Sequence, residues 1–153
     1  MVGILFVCHG NICRSPMAEF VLKDLAARAG RAVDFFIASA ATSTEEIGNG
    51  VHRGTREKLR REGVPFTARR AAQFTPDDYA RYDLILAMDG NNLRNLLRMT
   101  GGDPLGKVKR LLDFSDRPRD IADPWYTGDF DTTYDDVCEG CAALLSAEGK
   151  KGI

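Results

Sequence analysis

The run Val2-Gly3-Ile4-Leu5-Phe6-Val7 passes without a linker into Cys8-His9-Gly10-Asn11-Ile12-Cys13-Arg14-Ser15-Pro16. That junction constrains the fold more than any other part of the chain. A short, continuous apolar run bounded by turn residues is the pattern of a strand buried on both faces, as in a parallel sheet. Beyond it, Ser15 followed by Pro16 reads as the N-cap and first position of a helix, and Glu19 adds negative charge to its first turn. Met17, Phe20, Val21 and Leu25 then recur at near-helical spacing. The polar loop is therefore expected between the carboxyl end of a strand and the amino end of a helix. In open α/β sheets that is where ligands bind.

The residue types in the loop say what kind of ligand. Free backbone N–H groups and the positive end of the helix dipole form an anion site. The same field favours the thiolate form of a cysteine, which makes Cys8 a candidate nucleophile. Arg14 returns to the mouth of the loop, where its planar fork can hold two oxygens of a phosphoryl group. Gly10 and Asn11 are residue types that tolerate left-handed backbone. The Ser15 hydroxyl is in reach of the Cys8 sulfur. Cys13 lies in the same loop, so a Cys8–Cys13 disulfide formed under oxidation would inactivate Cys8 reversibly and protect it. A cysteine at a strand end is usually no more than a small hydrophobe; here its setting between strand and capped helix argues for thiol-based phosphate ester hydrolysis.

Farther along, Val33–Ile37 reads as a second strand and residues 38–49 as a loop. Residues 53–62 form a basic helical segment ended by Gly63, with His52 as a capping or surface residue. Residues 67–73 include Arg69-Arg70, to which the sequence assigns no role. Thr75 to Tyr79 opens a short helix. Residues 82–88 are the third strand, and Asp89 caps a helix carrying Leu93, Leu96 and Leu97. Residues 108–114 make a fourth, weaker strand. Alternating elements of this kind predict a three-layer α/β fold, with a four-stranded parallel sheet and helices on both faces. The Asp-rich loop over residues 115–131 lacks EF-hand spacing, so no metal site is expected there. Within it Asp123, held extended by Pro124, suits a general acid, and Trp125 and Tyr126 offer an aromatic wall to the substrate cleft. Phe130, Tyr134, Val137, Cys138, Cys141, Leu144 and Leu145 share one helix face, which assigns Cys138 and Cys141 to core packing.

Bulk properties exclude more than they assign. A chain of 153 residues is expected to form one domain, 1–153, and to bury roughly 68–70% of its unfolded surface. The net charge of −1 gives no reason to expect a nucleic-acid partner. No run approaches the ~20 apolar residues that membrane insertion requires. The short apolar start, with no preceding Lys or Arg, does not read as a signal peptide. Four cysteines fit reduced thiols, and a cytoplasmic location is expected.

The segment from Cys8 to Pro16 resembles the phosphate loop of the low-molecular-weight protein tyrosine phosphatases. Ser39–Ser43, Ile47-Gly48-Asn49, Asp83–Asp89, Asn92-Leu93-Arg94 and Asp123-Pro124-Trp125-Tyr126 resemble the same family in order and spacing. The resemblance implies flavodoxin-like strand order 2-1-3-4. It also implies a two-step reaction without cofactor or metal. Cys8 would attack phosphorus, His9, Gly10, Asn11, Ile12, Cys13, Arg14 and Ser15 would bind the phosphate, and Asp123 would act as acid and then base. Ser39 and Asp89 would support the loop. Substrates would be a tyrosine-phosphorylated protein or an aryl phosphate, with inorganic phosphate or sulfate also binding the loop, on a monomer or weak homodimer. Two departures stand out. Glu45 and Glu46 occupy the cleft wall where the family often has an aromatic residue, and Ala68-Arg69-Arg70 stands in the region where many members carry a supporting His. Related arsenate reductases need further cysteines near mid-chain, and residues 76–100 have none. Phosphoarginine phosphatases resemble this chain but carry Thr where Ile12 stands. A phosphate-binding adaptor would be expected to lack Cys8, Arg14 or Asp123.

Overall fold

The computed structural model describes residues 1–151, with side chains as far as Glu148. In chain order the elements are β1 (Val2–Cys8), α1 (Arg14–Arg28), β2 (Phe35–Ala41), α2 (Arg53–Arg61), α3 (Pro76–Arg81), β3 (Leu84–Ala87), α4 (Gly90–Met99), β4 (Val108–Arg110), α5 (Pro124–Thr127) and α6 (Phe130–Lys151). The sheet runs β2-β1-β3-β4 with every pairing parallel, as expected.

β1 is the pivot of this sheet. It pairs with β2 along its whole length, Val2 with Phe35 through Cys8 with Ala41, and with β3 from Ile4 to Val7. Its alternation feeds two cores. Ile4, Phe6 and Cys8 pack with Met17, Phe20 and Val21 of α1 and with Val137, Cys141 and Leu144 of α6. Leu5 and Val7 pack on the opposite face with Phe74, Tyr82 and Leu96. Helices thus cover both faces, which is why β1 is apolar throughout rather than alternating.

Five expectations need correction. α1 begins at Arg14, with Cys13 as an N-cap that makes no side-chain bond, so Ser15 and Pro16 lie inside the helix and Glu19 beyond its first turn. Ser15 is not the cap because its hydroxyl is engaged with Cys8 and Asn11. β2 starts later and runs further than Val33–Ile37: Ala32–Asp34 is a 3-10 turn, and small residues 38–41, read as loop, continue the ladder beside Leu5–Cys8. The third strand is shorter than residues 82–88, and the fourth stops at Arg110. There Asp113 accepts the Arg110 backbone N–H at 2.8 Å and turns Leu111–Phe114 into a 3-10 helix that buries Leu111 and Leu112. Finally, the loop over 115–131 contains the short helix α5.

α6 packs against the 3-10 turn after β4 through a close approach at Gly140, where a Cβ atom would sit 2.5 Å from Leu111 Cγ. Among the described residues no helix is long and apolar enough to cross a membrane. For Gly140→Ala, overpacking of about 1–3 kcal/mol exceeds the roughly 1 kcal/mol gained in helix propensity. The variant is expected to unfold at lower urea concentration with an unchanged m-value.

Candidate active site

The carboxyl end of β1 delivers Cys8, only 3% exposed, to the start of a loop that curls back on its sulfur. Asn11 makes the curl by adopting φ 58°, the left-handed region expected of it. Its backbone N–H donates to Cys8 Sγ at 3.2 Å, and Ser15 Oγ lies 3.0 Å from the same sulfur. Gly10 does not adopt left-handed backbone; its requirement is space, since a Cβ there would meet Glu46 Cγ at 3.2 Å.

Arg14 is nearly buried, at 2% exposure, beneath the loop. Its Nη1 donates to Asp89 Oδ2 at 2.6 Å and to the Ile121 carbonyl at 2.9 Å, and its Nη2 lies 3.4 Å from Asp123 Oδ2. Burial opposes its charge, but the Cys8 sulfur, Asp89 and Asp123 outweigh that, and the net shift of its pKa is upward. Asp89 serves two ends at once. Oδ1 caps α4 through the Asn92 N–H at 2.8 Å, while Oδ2 holds Arg14. Asp123 caps α5 through the Trp125 N–H at 3.0 Å. Proline after it and a capped turn behind it keep this carboxyl at the cleft.

Cys8, Ile12, Cys13 and Arg14 line an open cleft of about 110 Å³, together with His9, Gly10, Glu45, Glu46, Asp123, Trp125 and Tyr126. The structure therefore gathers every residue expected in the loop and cleft, except that Asn11 and Ser15 lie behind the sulfur rather than on the cleft surface. Trp125 and Tyr126 are largely exposed at the mouth. Glu45 is fastened to the loop by His9 Nε2 at 2.9 Å. His52 links the parts below: its N–H donates to the Ile12 carbonyl, its Nδ1 caps α2, and its ring contacts Phe130 and Trp125.

Two participants were not read from the sequence. Arg69, in the segment between α2 and α3, donates to Asn11 Oδ1 at 2.8 Å and to Ser39 Oγ at 2.7 Å. Glu19, buried in α1, accepts from Ser39 Oγ at 2.6 Å and from Lys23 at 2.7 Å. A charge inside the apolar run Met17–Leu22 was a signal for Glu19. Arg69 had no local signal, because its partner Asn11 is 58 residues away.

All four cysteines are free. Burial, followed by the Cys8 and Asp123 charges, pushes the Cys13 thiol up to about 12 against the pull of Arg14. Burial also raises Cys138 and Cys141, and Cys141 is wholly buried in the core as expected. Among the described residues no cluster of three or more His, Cys, Asp or Glu is placed to hold a metal ion.

Residues 3–152 match the family described as low molecular weight phosphotyrosine protein phosphatase. The chain is 42% identical to low molecular weight protein-tyrosine-phosphatase YfkJ of Bacillus subtilis, over 99% of this chain and 98% of that protein. The crystal structure of YfkJ superposes with a TM-score of 0.93 at 43% identity, over 99% of this chain and 96% of that one. The human low molecular weight phosphotyrosine protein phosphatase is 40% identical over 94% of this chain and 93% of that protein. A Drosophila arginine phosphatase shares the fold at TM-score 0.87 and 27% identity, over 95% of this chain and 96% of that one. The chain belongs to the low molecular weight protein tyrosine phosphatase family.

Three of the four thiols are held protonated by burial, so a haloacetamide should distinguish the fourth. Iodoacetamide at mildly acidic pH is expected to give a single adduct, on Cys8, by peptide mapping. Inorganic phosphate is expected to slow its formation.

Proposed function

We propose that this chain hydrolyses phosphotyrosine in proteins through a phosphocysteine on Cys8. The observation that carries the reading is the sulfur's setting: at the floor of the cleft, with the Asn11 N–H at 3.2 Å, the Ser15 hydroxyl at 3.0 Å, and Arg14 and Asp123 beside it. In the first step the Cys8 thiolate attacks phosphorus in line. The S–P bond forms as the P–O bond to the phenol breaks, and Asp123 gives the leaving oxygen its proton. The loop N–H groups and Arg14 hold the equatorial oxygens. Arg14 has five N–H donors, and Asp89 and the Ile121 carbonyl use the two on Nη1, orienting the fork from behind. In the second step Asp123 takes a proton from water, the water oxygen attacks phosphorus, and the S–P bond breaks to return the thiolate, which Ser15 steadies.

Trp125 and Tyr126 at the mouth suit a flat aryl group, and the apolar Ile12 in the cleft favours a phenyl ring over a guanidinium. Glu45 and Glu46 add negative charge to the rim, which favours peptides with Lys or Arg beside the phosphotyrosine. After oxidation of Cys8 by a peroxide to the sulfenic acid, the Cys13 thiol displaces water from it and closes a disulfide. The same reading describes one catalytic domain acting in the cytoplasm, a setting the four free thiols suit, as a monomer or weak homodimer whose loop also takes inorganic phosphate or sulfate.

The test is hydrolysis of p-nitrophenyl phosphate and a phosphotyrosyl peptide at mildly acidic pH with EDTA present. Wild type is expected to turn over both, and Cys8→Ser neither. Asp123→Ala should lose about 10²–10⁴-fold on phosphotyrosine and much less on p-nitrophenyl phosphate, whose leaving group needs no proton. A reduced, folded wild type that hydrolyses neither ester, or that prefers phosphoarginine, overturns the reading. For the rim, kcat/KM should be higher for a peptide with Lys beside the phosphotyrosine than for one with Glu. Glu45→Gln with Glu46→Gln should erase that preference.

A further inference from the structure

We infer that the groove between α2 and residues 64–69 docks an extended acidic segment of a partner protein, whose carboxylates Arg56 and Arg60 hold. The inference goes beyond the reading of Cys8 and does not depend on it.

Charge on α2 is unevenly paired. Its five cations, Arg53, Arg56, Lys58, Arg60 and Arg61, share the helix with a single acid, Glu57. Arg53 pairs with Glu57 at 2.8 Å, Lys58 with Glu62 at 2.9 Å and Asp131 at 2.8 Å, and Arg61 lies 3.5 Å from Asp131. Arg56 and Arg60 have no carboxylate partner among the described residues. They stand one turn apart on the same face, where like charges repel. The helix dipole compensates Arg60 in the last turn but not Arg56 in the middle. Folding alone gives this pair no purpose.

Both arginines line a groove of about 390 Å³ with Arg69, Val51 and Phe66, and no Asp or Glu is among its lining residues. The floor is apolar and fixed. Val51 is buried, and the Phe66 ring packs edge-on against Phe20 with centroids 6.1 Å apart. The Arg60 guanidinium sits over the Phe66 ring, 5.6 Å from its centroid, which steadies the fork without using its N–H groups. Arg69 is committed elsewhere, to Asn11, Ser39 and Glu19, so the free forks are those of Arg56 and Arg60. Across the groove, Thr67 and Ala68 lie outside any helix or strand, are exposed, and make no hydrogen bond with the described residues. Their backbone N–H and C=O groups are open to a partner.

These features favour one kind of occupant. A guanidinium fork takes a carboxylate through two parallel N–H···O bonds. Residues four apart on a helix are separated by about 6 Å along its axis. Alternate residues of an extended chain share a face and are about 7 Å apart. Carboxylates at alternate positions therefore meet Arg56 and Arg60 in register, while the main chain of the same segment can bond Thr67 and Ala68. The acidic rim formed by Glu45 and Glu46 disfavours such a segment in the cleft. A nucleic acid fits less well, since two cations in one groove neutralise few phosphates, and Arg60 covers the ring on which a base would stack.

The test is fluorescence anisotropy at low salt with a labelled peptide in which Glu alternates with Thr, and with urea unfolding measured in parallel. Wild type is expected to bind it, and to bind it more weakly as salt rises. Arg56→Ala with Arg60→Ala is expected to weaken binding about tenfold and to leave the urea transition in place, because both side chains are exposed. Arg53→Ala with Arg61→Ala removes as much charge from the same helix and should leave binding nearly unchanged. A peptide of the same composition with its glutamates in adjacent pairs, none of them two residues apart, should bind more weakly. Absence of binding by wild type, or binding unchanged by loss of Arg56 and Arg60, would overturn the inference. Equal loss from the Arg53 and Arg61 changes, or equal affinity for the two peptides, would also overturn it, since either would mean attraction by net charge alone. Tighter binding of a single-stranded oligonucleotide through the same two arginines would overturn it in favour of nucleic acid. None of these results bears on whether wild type hydrolyses phosphotyrosine, so the failure of one reading is separable from that of the other.

Discussion

The burial of one charge, the guanidinium of Arg14, organises the carboxyl end of this sheet. Taking such a group out of water costs several kcal/mol unless geometry and partners compensate. The partners come from two separate places: Asp89 at the β3–α4 junction, and Ile121 and Asp123 from the chain between β4 and α6. Once Arg14 must be buried at 2% exposure beneath the loop, those segments have to converge on it. Asp89 shows the economy of the arrangement. One carboxylate ends a helix with one oxygen and neutralises Arg14 with the other, so a substitution there disturbs both the fold and the loop.

On the other side of Cys8 the constraint is conformational rather than ionic. Left-handed backbone at a non-glycine residue costs on the order of 1–3 kcal/mol and persists only where its surroundings hold it. Asn11 is held by Ser15, Ser39, Arg69 and Ala72 through its side chain. Bonds that involve a charged partner contribute about 1.5–3 kcal/mol each, and neutral ones less, so four of them offset the strain. The N–H groups are therefore aimed before any anion arrives, and no reorganisation is needed at the moment of reaction. Asn11 rather than Gly at this position makes sense on those terms. Glycine would adopt the turn without strain, but it would have no amide to join Arg69 and Ser39 to Ser15.

What could be read from the sequence was local, and what could not be read was long-range. β1, the loop and α1 follow one another without interruption, and the expected roles of Cys8 and Arg14 needed only that order. Asp89 is legible as a cap because a cap acts on the residues just after it, and Asp123 is legible as a candidate acid from the proline that follows it, whereas its capping of α5 is not. β2 was misplaced because Ala38, Ala40 and Ala41 carry no strand signal of their own; the ladder with β1 makes them a strand. The fourth strand was drawn too long for the converse reason, as the apolar Leu111 and Leu112 face α6 from a 3-10 turn. Gly10 was assigned to backbone freedom when its constraint is Glu46, a neighbour that only the folded chain supplies. Arg69 went unassigned because both of its main partners lie in other segments, and no spacing along the chain reports such a meeting.

The floor and the rim of the cleft differ in what they can tolerate. Floor residues are buried and cross-linked, so changing one of them alters the fold and the loop together. The rim is built from surface contacts: the His9–Glu45 pair has side chains 47% and 69% exposed, and pairs of that kind contribute about 0–1 kcal/mol. Tyr126 is 82% exposed and belongs to neither core. Substitutions on the rim are thus nearly free in stability while they reshape the charge and contact a substrate meets. An acidic rim in place of an aromatic one is a change that costs the fold almost nothing. Selectivity in this chain can therefore vary independently of the machinery around Cys8, because the two are held by interactions of different strength.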